Sequence, residues 1–362
     1  MVLPATKTKA ELLKRVESFD VAAYAKTRNH LSGSVSKLSR FITRGVITLP
    51  EIRQVVLKRY SVKTAEKYIQ ELAWREYWQR VWEARGEDIF SDLRFPRDDW
   101  VHTDLVSAIT EAKTGIAVID AAIRELYETG YMHNHARMWT AMPACNVRKG
   151  HWYPHSRWLY YHLYDGDLAS NMLSWQWVAG TNASKRYVAN QAVIHVCSNE
   201  TEPRTYLTMP REEVGNGPIP EPLLATTPFE YHTRYGESDT YDRSAMAVFL
   251  YSPWTLNPDW RADEPGERIL LIEPRWFDRF PVSSGVLEFI TTVARTQIPS
   301  IKIVYANAKD VLFFQSPPIR HLAHPTHAEW PGIGDEPDRL FPSVSGYYPS
   351  FFSYWRACQR SM

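Results

Sequence analysis

Residues 114–180 read TGIAVIDAAIRELYETGYMHNHARMWTAMPACNVRKGHWYPHSRWLYYHLYDGDLASNMLSWQWVAG. Apolar residues return here every three or four positions, the spacing of amphipathic helices. Gly115, Gly130, Gly150 and Gly166 punctuate the runs. The pattern predicts helices over 116–129, 132–147, 155–164 and 168–178. Toward the N-terminus, LLKRV, VAAYA, EIRQVVLKRY and KTAEKYIQELAWREYWQRVWEA keep the same spacing, with breaks at Gly45, Pro50 and Pro96. A further helix is expected at 103–112. No period-two alternation marks a strand before residue 200, so residues 1–200 are expected to form one helical domain.

Beyond it the composition shifts. Pro203, Pro210, Pro218, Pro220, Pro222 and Pro228, with Gly215 and Gly217, mark residues 201–244 as an extended connector. In 245–314 the runs AMAVFLY, RILLIEP and IKIVYA read as strands, with SSGVLEFITTVART as a helix before the third. Residues 315–362, rich in Pro, His and aromatic residues, are expected to form an irregular tail packed on the body. The fold class is thus mainly α with a smaller C-terminal α/β segment.

Composition narrows the class. With 362 residues, 44% hydrophobic and 23% charged, the chain can bury a large core and is not a disordered one. Three isolated cysteines, Cys145, Cys197 and Cys358, make neither a disulfide framework nor a thiolate zinc site and fit a reducing, cytoplasmic setting. The N-terminus has no apolar leader, and no run reaches the roughly 18 apolar residues of a membrane span. Residues 1–200 hold 27 Lys/Arg against 21 Asp/Glu, and residues 201–362 hold 15 against 20. The basic half permits an anionic partner, although ordinary surface charge explains the numbers equally well. His321, His324 and His327 lack a framing carboxylate, and no metal is expected.

Some residue groupings invite chemistry. Glu71, Trp74 and Arg75 share one helix face, which suits a flat polar ligand, or else is a surface ion pair over a core indole. Asn134, Arg137 and Met138 share another face. Asp165 and Asp167 in DGDLASN precede a helical run. Asp167 is placed to cap it, and a buried Asp165 would need a partner such as Arg137.

Taken together, TGIAVIDAAIRELYETGYMHN, DGDLASN and WQWVAG, with ELAWRE at 71–76 and SKLS at 36–39 upstream, resemble the flavin-binding helical domain of DNA photolyases and cryptochromes. The resemblance covers about residues 20–195. It implies FAD as cofactor. It assigns the FAD pyrophosphate to Ser36, Lys37, Leu38 and Ser39. Here Val35 and Lys37 replace the family's Thr and Arg, a departure that weakens the cradle, while the backbone N–H groups remain. Tyr24, Tyr68 and Arg75 are implied at the FAD, Asp165 and Arg137 as an ion pair beside the ring, Asp167 at its polar edge, and Asn171 facing the ring nitrogen.

The resemblance further implies a cavity for cyclobutane pyrimidine dimers. Its lining would be Glu71, Trp74, Asn134, Met138 and Trp177, with the glutamate accepting hydrogen bonds from the base and the tryptophans stacking on the rings. The His pair expected for the (6-4) photoproduct is absent. Trp175, Trp152 and Trp100 take the places of an electron-transfer chain, Trp100 after a one-residue shift. Arg28 and His135 fall at DNA backbone contacts, His135 in place of an Arg, which weakens that contact and makes it pH-sensitive.

The expected function is blue or near-UV light-driven electron transfer from reduced FAD to a dimer in UV-damaged DNA, single- or double-stranded, a lyase reaction of DNA repair. The competing readings are a cryptochrome-like photoreceptor, signalling to a protein partner through residues 201–362, and a flavin-free structural relative. The family's N-terminal antenna domain has no counterpart before residue 20, and no antenna chromophore is expected.

Overall fold

A computed structural model describes residues 4–201, 203–311, 313 and 316–362; residues 1–3, 202, 312, 314 and 315, inside expected segments, lie outside that set. The helical part begins with α1 (Lys9–Ser18) and α2 (Val21–Thr27), followed by α3 (Ser39–Thr43), α4 (Leu49–Arg59) and the long α5 (Val62–Arg85). Thr8 with Glu11, and Thr48 with Glu51, close capping boxes on α1 and α4, each satisfying two otherwise unpaired donors. The two helices then meet through Leu12, Val16, Ile52 and Val56, all buried.

The quoted stretch folds into α7 (Ala117–Thr129), α8 (Asn134–Met142), α9 (Trp152–His162) and α10 (Leu168–Ala179), preceded by β1 (Leu105–Val106) and α6 (Ser107–Thr110) and followed by α11 (Gln191–Ser198). Gly130 ends α7 at φ +63°, and a Cβ there would sit 2.1 Å from the Tyr164 ring, so glycine serves both conformation and space. Near-continuously apolar, α10 is buried among α5, α8 and α9.

Three sequence expectations need correction here. The helix expected over 132–147 stops at Met142, because Pro143 brings no N–H; one widened turn, Pro143–Val147, continues it. The helix expected over 103–112 survives only as α6. Leu105–Val106 instead pairs antiparallel with β2 (Thr226–Thr227), so a strand does occur before residue 200 and the connector is stitched back onto the helical part.

The C-terminal part is a five-stranded parallel sheet. β3 (Val248–Tyr251) is central, with β4 (Glu267–Leu271) and β5 (Lys302–Val304) on one side and β6 (Ile319–Leu322) and β7 (Ile333–Asp335) on the other. α12 (Pro274–Phe277) and α13 (Ser284–Gln297) link β4 to β5. Residues alternate between faces. Phe249, Tyr251, Leu270 and Ile272 join the main core shared with the helical part, while Val248, Leu250, Ile269 and Leu271 form a smaller cluster on the other face. The expected irregular tail is therefore wrong in part. It supplies β6 and β7, whose IRHL and IGD sequences carry no strand signal of their own, and ends in α14 (Phe351–Gln359), which packs on α5.

Arg44 rivets the two parts. Fully buried, it donates to Pro253 O at 3.0 Å and Gly166 O at 2.8 Å, and its carbonyl accepts from Leu256 N at 2.7 Å. Gly45 beside it (φ +75°) leaves only 2.9 Å between an added Cβ and Trp254 O. Two backbone groups of the segment after β3, Pro253 O and Leu256 N, thus find partners in the helical part, as buried polar groups must.

Candidate functional site

α5, α8 and α10 and the loop before α3 enclose a cavity open to solvent on one side. The loop forms one end. Lys37 takes a left-handed conformation (φ 56°) and Leu38 a right-handed one, and none of the backbone N–H groups from Val35 to Arg40 donates to another group among the described residues. Consecutive free N–H groups with alternating handedness make a concave nest for an anion. Tyr24 and Tyr68 close this end, meeting edge to face at 5.1 Å. Burial pushes the Tyr68 hydroxyl up to about 12.

Beside the loop, within reach of the Ser39 hydroxyl, Arg137 Nη2 donates to Asp165 Oδ1 and Oδ2 at 2.9 and 2.8 Å, with Arg137 Nε held on Met132 O at 2.9 Å. Asp165 is only 6% exposed. Burial works to raise its pKa, but Arg137 and the Ser39 hydroxyl hold it below the ordinary carboxylate value of 3.8. Asp167 caps α10 through Ser170 N at 2.7 Å and accepts from Gln79 Nε2 at 2.5 Å. Asn171 gives its amide nitrogen to Ser156 O at 2.8 Å. Arg75 lies in the wall and donates to Thr43 Oγ1 at 2.7 Å. Two buried polar atoms on this wall, His133 Nε2 and Ser170 Oγ, have no partner among the described residues. Such atoms are costly unless something fills the cavity. Anion nest, aromatic side walls, buried ion pair and orphaned polar atoms together suit an elongated group carrying a diphosphate and a flat polar ring.

Glu71, Trp74, Asn134 and Met138 line the same cavity. Glu71 is held by Lys67 at 2.9 Å and by Arg28 at 3.5 Å. Arg28, expected on the DNA backbone, therefore sits on the cavity wall as the partner of Glu71. One face of Trp74 is covered by Phe351 of α14, ring centroids 3.6 Å apart and planes 10° from parallel. Trp177 departs from the expectation. It is 38% exposed, leans on Tyr187 at 5.6 Å and is not among the cavity-lining residues, because consecutive residues of α10 diverge by about 100° and Trp175 takes the inward position. His135 departs too. Its Nδ1 donates to Asn29 O at 2.6 Å, it stacks on Trp139 at 5.4 Å, and burial lowers its pKa, so its ring is turned into the protein.

Trp175 lies on the cavity wall, Trp152 is fully buried, and Trp100 is half-buried toward the surface. His151 stands between the last two, 5.7 Å from Trp152 and 5.0 Å from Trp100. The histidines near the tail, His321, His324 and His327, form no metal-type cluster among the described residues. Sequence reasoning missed Thr43, Gln79, His133, Ser170 and Phe351. Ser170 lies inside the quoted DGDLASN; Phe351 lies 277 positions from Trp74 and leaves no local signal.

Comparison with known proteins agrees with this picture. Residues 68–205 match the family model for the FAD binding domain of DNA photolyase. The chain is similar to a deoxyribodipyrimidine photo-lyase of Streptomyces griseus, 33% identical over 168 residues, covering 46% of this chain and 37% of the relative. It is also similar to a cryptochrome DASH of Gloeobacter violaceus, 30% identical over 176 residues, covering 45% and 35%. Among solved structures, a cryptochrome of Synechocystis sp. aligns with a TM-score of 0.44 at 26% identity, covering 50% of this chain and 40% of that one. The helical part of the chain carries this match to the FAD binding domain of DNA photolyase. The chain spans less than two fifths of the length of these curated relatives, and the C-terminal sheet lies outside the matched family domain. Among the described residues no helix is long and apolar enough to cross a membrane.

Proposed function

We propose that the protein binds FAD in the helical cavity and repairs cyclobutane pyrimidine dimers in UV-damaged DNA under blue or near-UV light. The observation that carries this reading is the placement of Glu71, Trp74, Asn134 and Met138 in one cavity with the Arg137–Asp165 pair. The nest at Ser36–Ser39 takes the pyrophosphate, the Arg137–Asp165 pair lies beside the ring, and Asp167 meets the ring's polar edge. When bound and reduced, FAD supplies the electron that opens the cyclobutane ring and receives it back.

The remaining work falls to this chain's side chains. A dimer leaves the duplex at a smaller cost than a normal base because it stacks poorly. Trp74 offers it an aromatic face, Met138 a soft contact, and Asn134, exposed at the mouth, both a donor and an acceptor. Glu71 accepts from the base edge, with Lys67 and Arg28 keeping its charge in place. A reducing, cytoplasmic setting fits the three free cysteines, and no antenna chromophore is part of the reading. The test is blue-light loss of dimers from UV-treated oligothymidine by the FAD-loaded, reduced protein. Loss above a dark control supports repair, and no loss rejects it.

A second reading, a cryptochrome-like photoreceptor signalling to a protein partner through the C-terminal part, is favoured by Phe351 on Trp74 and by the outward turn of Trp177. Both reduce the aromatic surface offered to a lesion. The two readings part on DNA binding, since a signalling protein has no need to prefer lesion-bearing DNA.

A further inference from the structure

Three tryptophans lead outward from the cavity, and their surroundings differ in a way that decides where an electron vacancy settles. Trp152 donates its indole N–H to Asp92 Oδ1 at 2.7 Å. Asp92 is itself fixed, accepting Arg97 N on Oδ2 at 3.2 Å. Trp100 has the opposite environment. The Arg97 guanidinium lies 3.8 Å from the centroid of its ring. That guanidinium is immobile, bonded to Asp99, Asn146 Oδ1, Cys145 O and Ala179 O. Asp99 does not cancel its charge alone, because Asp99 is shared with Arg186 at 2.9 Å. The Trp100 Nε1 is buried with no acceptor among the described residues. His151, between the two indoles, is kept neutral mainly by burial, so it adds no charge to either side.

Oxidising an indole places a positive charge on the ring and makes its N–H strongly acidic. A carboxylate hydrogen-bonded to that N–H stabilises the charge and stands ready for the proton; a guanidinium stacked on the ring opposes the charge. We infer that Asp92 is the proton acceptor for an oxidised Trp152, and that the vacancy stops at Trp152 instead of passing to Trp100. This rests on the reading of the cavity as a light-active FAD site. The balance is as follows. Photoexcited oxidised flavin is the oxidant. One electron leaves Trp152, by way of Trp175, for the cofactor. The Nε1–H bond of Trp152 breaks, an O–H bond forms on Asp92, and Trp152 is left as a neutral radical. Return of the electron and of the proton restores the start. The proton lock lengthens the life of the separated charges without exposing a radical at the surface.

The experiment is flash photolysis of the full-length, FAD-loaded protein, reading the tryptophan radical by its spectrum, protonated against neutral. In the wild type the neutral radical forms at a rate independent of buffer concentration, because the base is internal. In Asp92→Asn, which keeps an acceptor but not a base, the radical stays protonated and its lifetime shortens by about tenfold or more; Asp92→Glu, which retains the base, restores the neutral radical and guards against a folding defect. Neutral-radical formation that follows buffer concentration and is unchanged in Asp92→Asn overturns the assignment, since the proton then leaves to solvent from Trp100. A wild type that holds FAD yet yields no tryptophan radical overturns both the assignment and the light-driven relay beneath it.

Discussion

Phe351 lies flat on Trp74, ring centroids 3.6 Å apart and planes 10° from parallel, and is itself only 3% exposed. The pair joins the last helix of the chain to the helix that carries Glu71 and Arg75. It is backed by Tyr354, whose hydroxyl donates to Glu76 at 2.6 Å. A cavity-lining indole is therefore half covered by the protein's own C-terminal segment.

Phe351→Ala is expected to cost about 3 kcal/mol of stability, the usual loss for a buried ring cut back to a methyl group, read by urea denaturation. Phe351→Leu keeps most of the volume and uncovers the indole. Its affinity for UV-treated oligothymidine rises above wild type if the lesion uses that face of Trp74. Unchanged affinity means the lesion uses the other face.

Glu71→Gln tests the repair chemistry apart from cofactor binding. The carboxylate pairs with Lys67 and Arg28 and makes no hydrogen bond to Ser36–Ser39 among the described residues. FAD retention stays at the wild-type level, while the rate of dimer loss under saturating light falls by roughly 100-fold, the scale seen when one preorganised group that stabilises transition-state charge is removed.

Asp165→Asn leaves the Arg137 guanidinium facing a neutral amide. Breaking a buried pair costs about 3 kcal/mol, and the protein loses FAD on gel filtration. Acid titration carries a second signature. Asp165 titrates below 3.8 in the folded protein, so its contribution is complete above the unfolded value and disappears as pH falls through the lower folded one. Wild type and variant differ in stability above pH 3.8 and converge below it.

The histidines set a different window. Burial lowers His133, His155, His162 and His324 from 6.5 to about 4. Each is neutral in the folded chain while the unfolded chain takes up a proton below 6.5. Stability is fully present above pH 6.5 and falls progressively toward pH 4, at up to about 1.4 kcal/mol per pH unit for each fully buried ring. Thermal melts between pH 7 and 4.5 check this; a flat profile contradicts the neutral assignment.

What the sequence makes legible follows from locality. The helices of residues 114–180 carry their own periodicity, so α7 and α10 lie where the spacing places them, and Asp165 and Arg137 meet because one precedes α10 and the other lies on α8. β6 and β7 were not legible. IRHL and IGD hold no alternating apolar pattern, and they become strands because β3 offers β6 a ladder of unpaired backbone groups and β6 then offers one to β7. Trp177 parts from its motif for a related reason: the match assigns the residue to a site, but the helix phase sets its side chain apart from the cavity-lining residues. Phe351 depends on a contact across 277 residues that only the assembled fold makes.

The measurement that tests the central claim most directly is the absorption spectrum of the purified protein after incubation with FAD and gel filtration, before and after blue light with a reductant present. The account predicts one flavin retained per chain, its visible band bleaching under the light, with both retention and bleaching lost in Asp165→Asn. A wild-type protein that emerges colourless contradicts it.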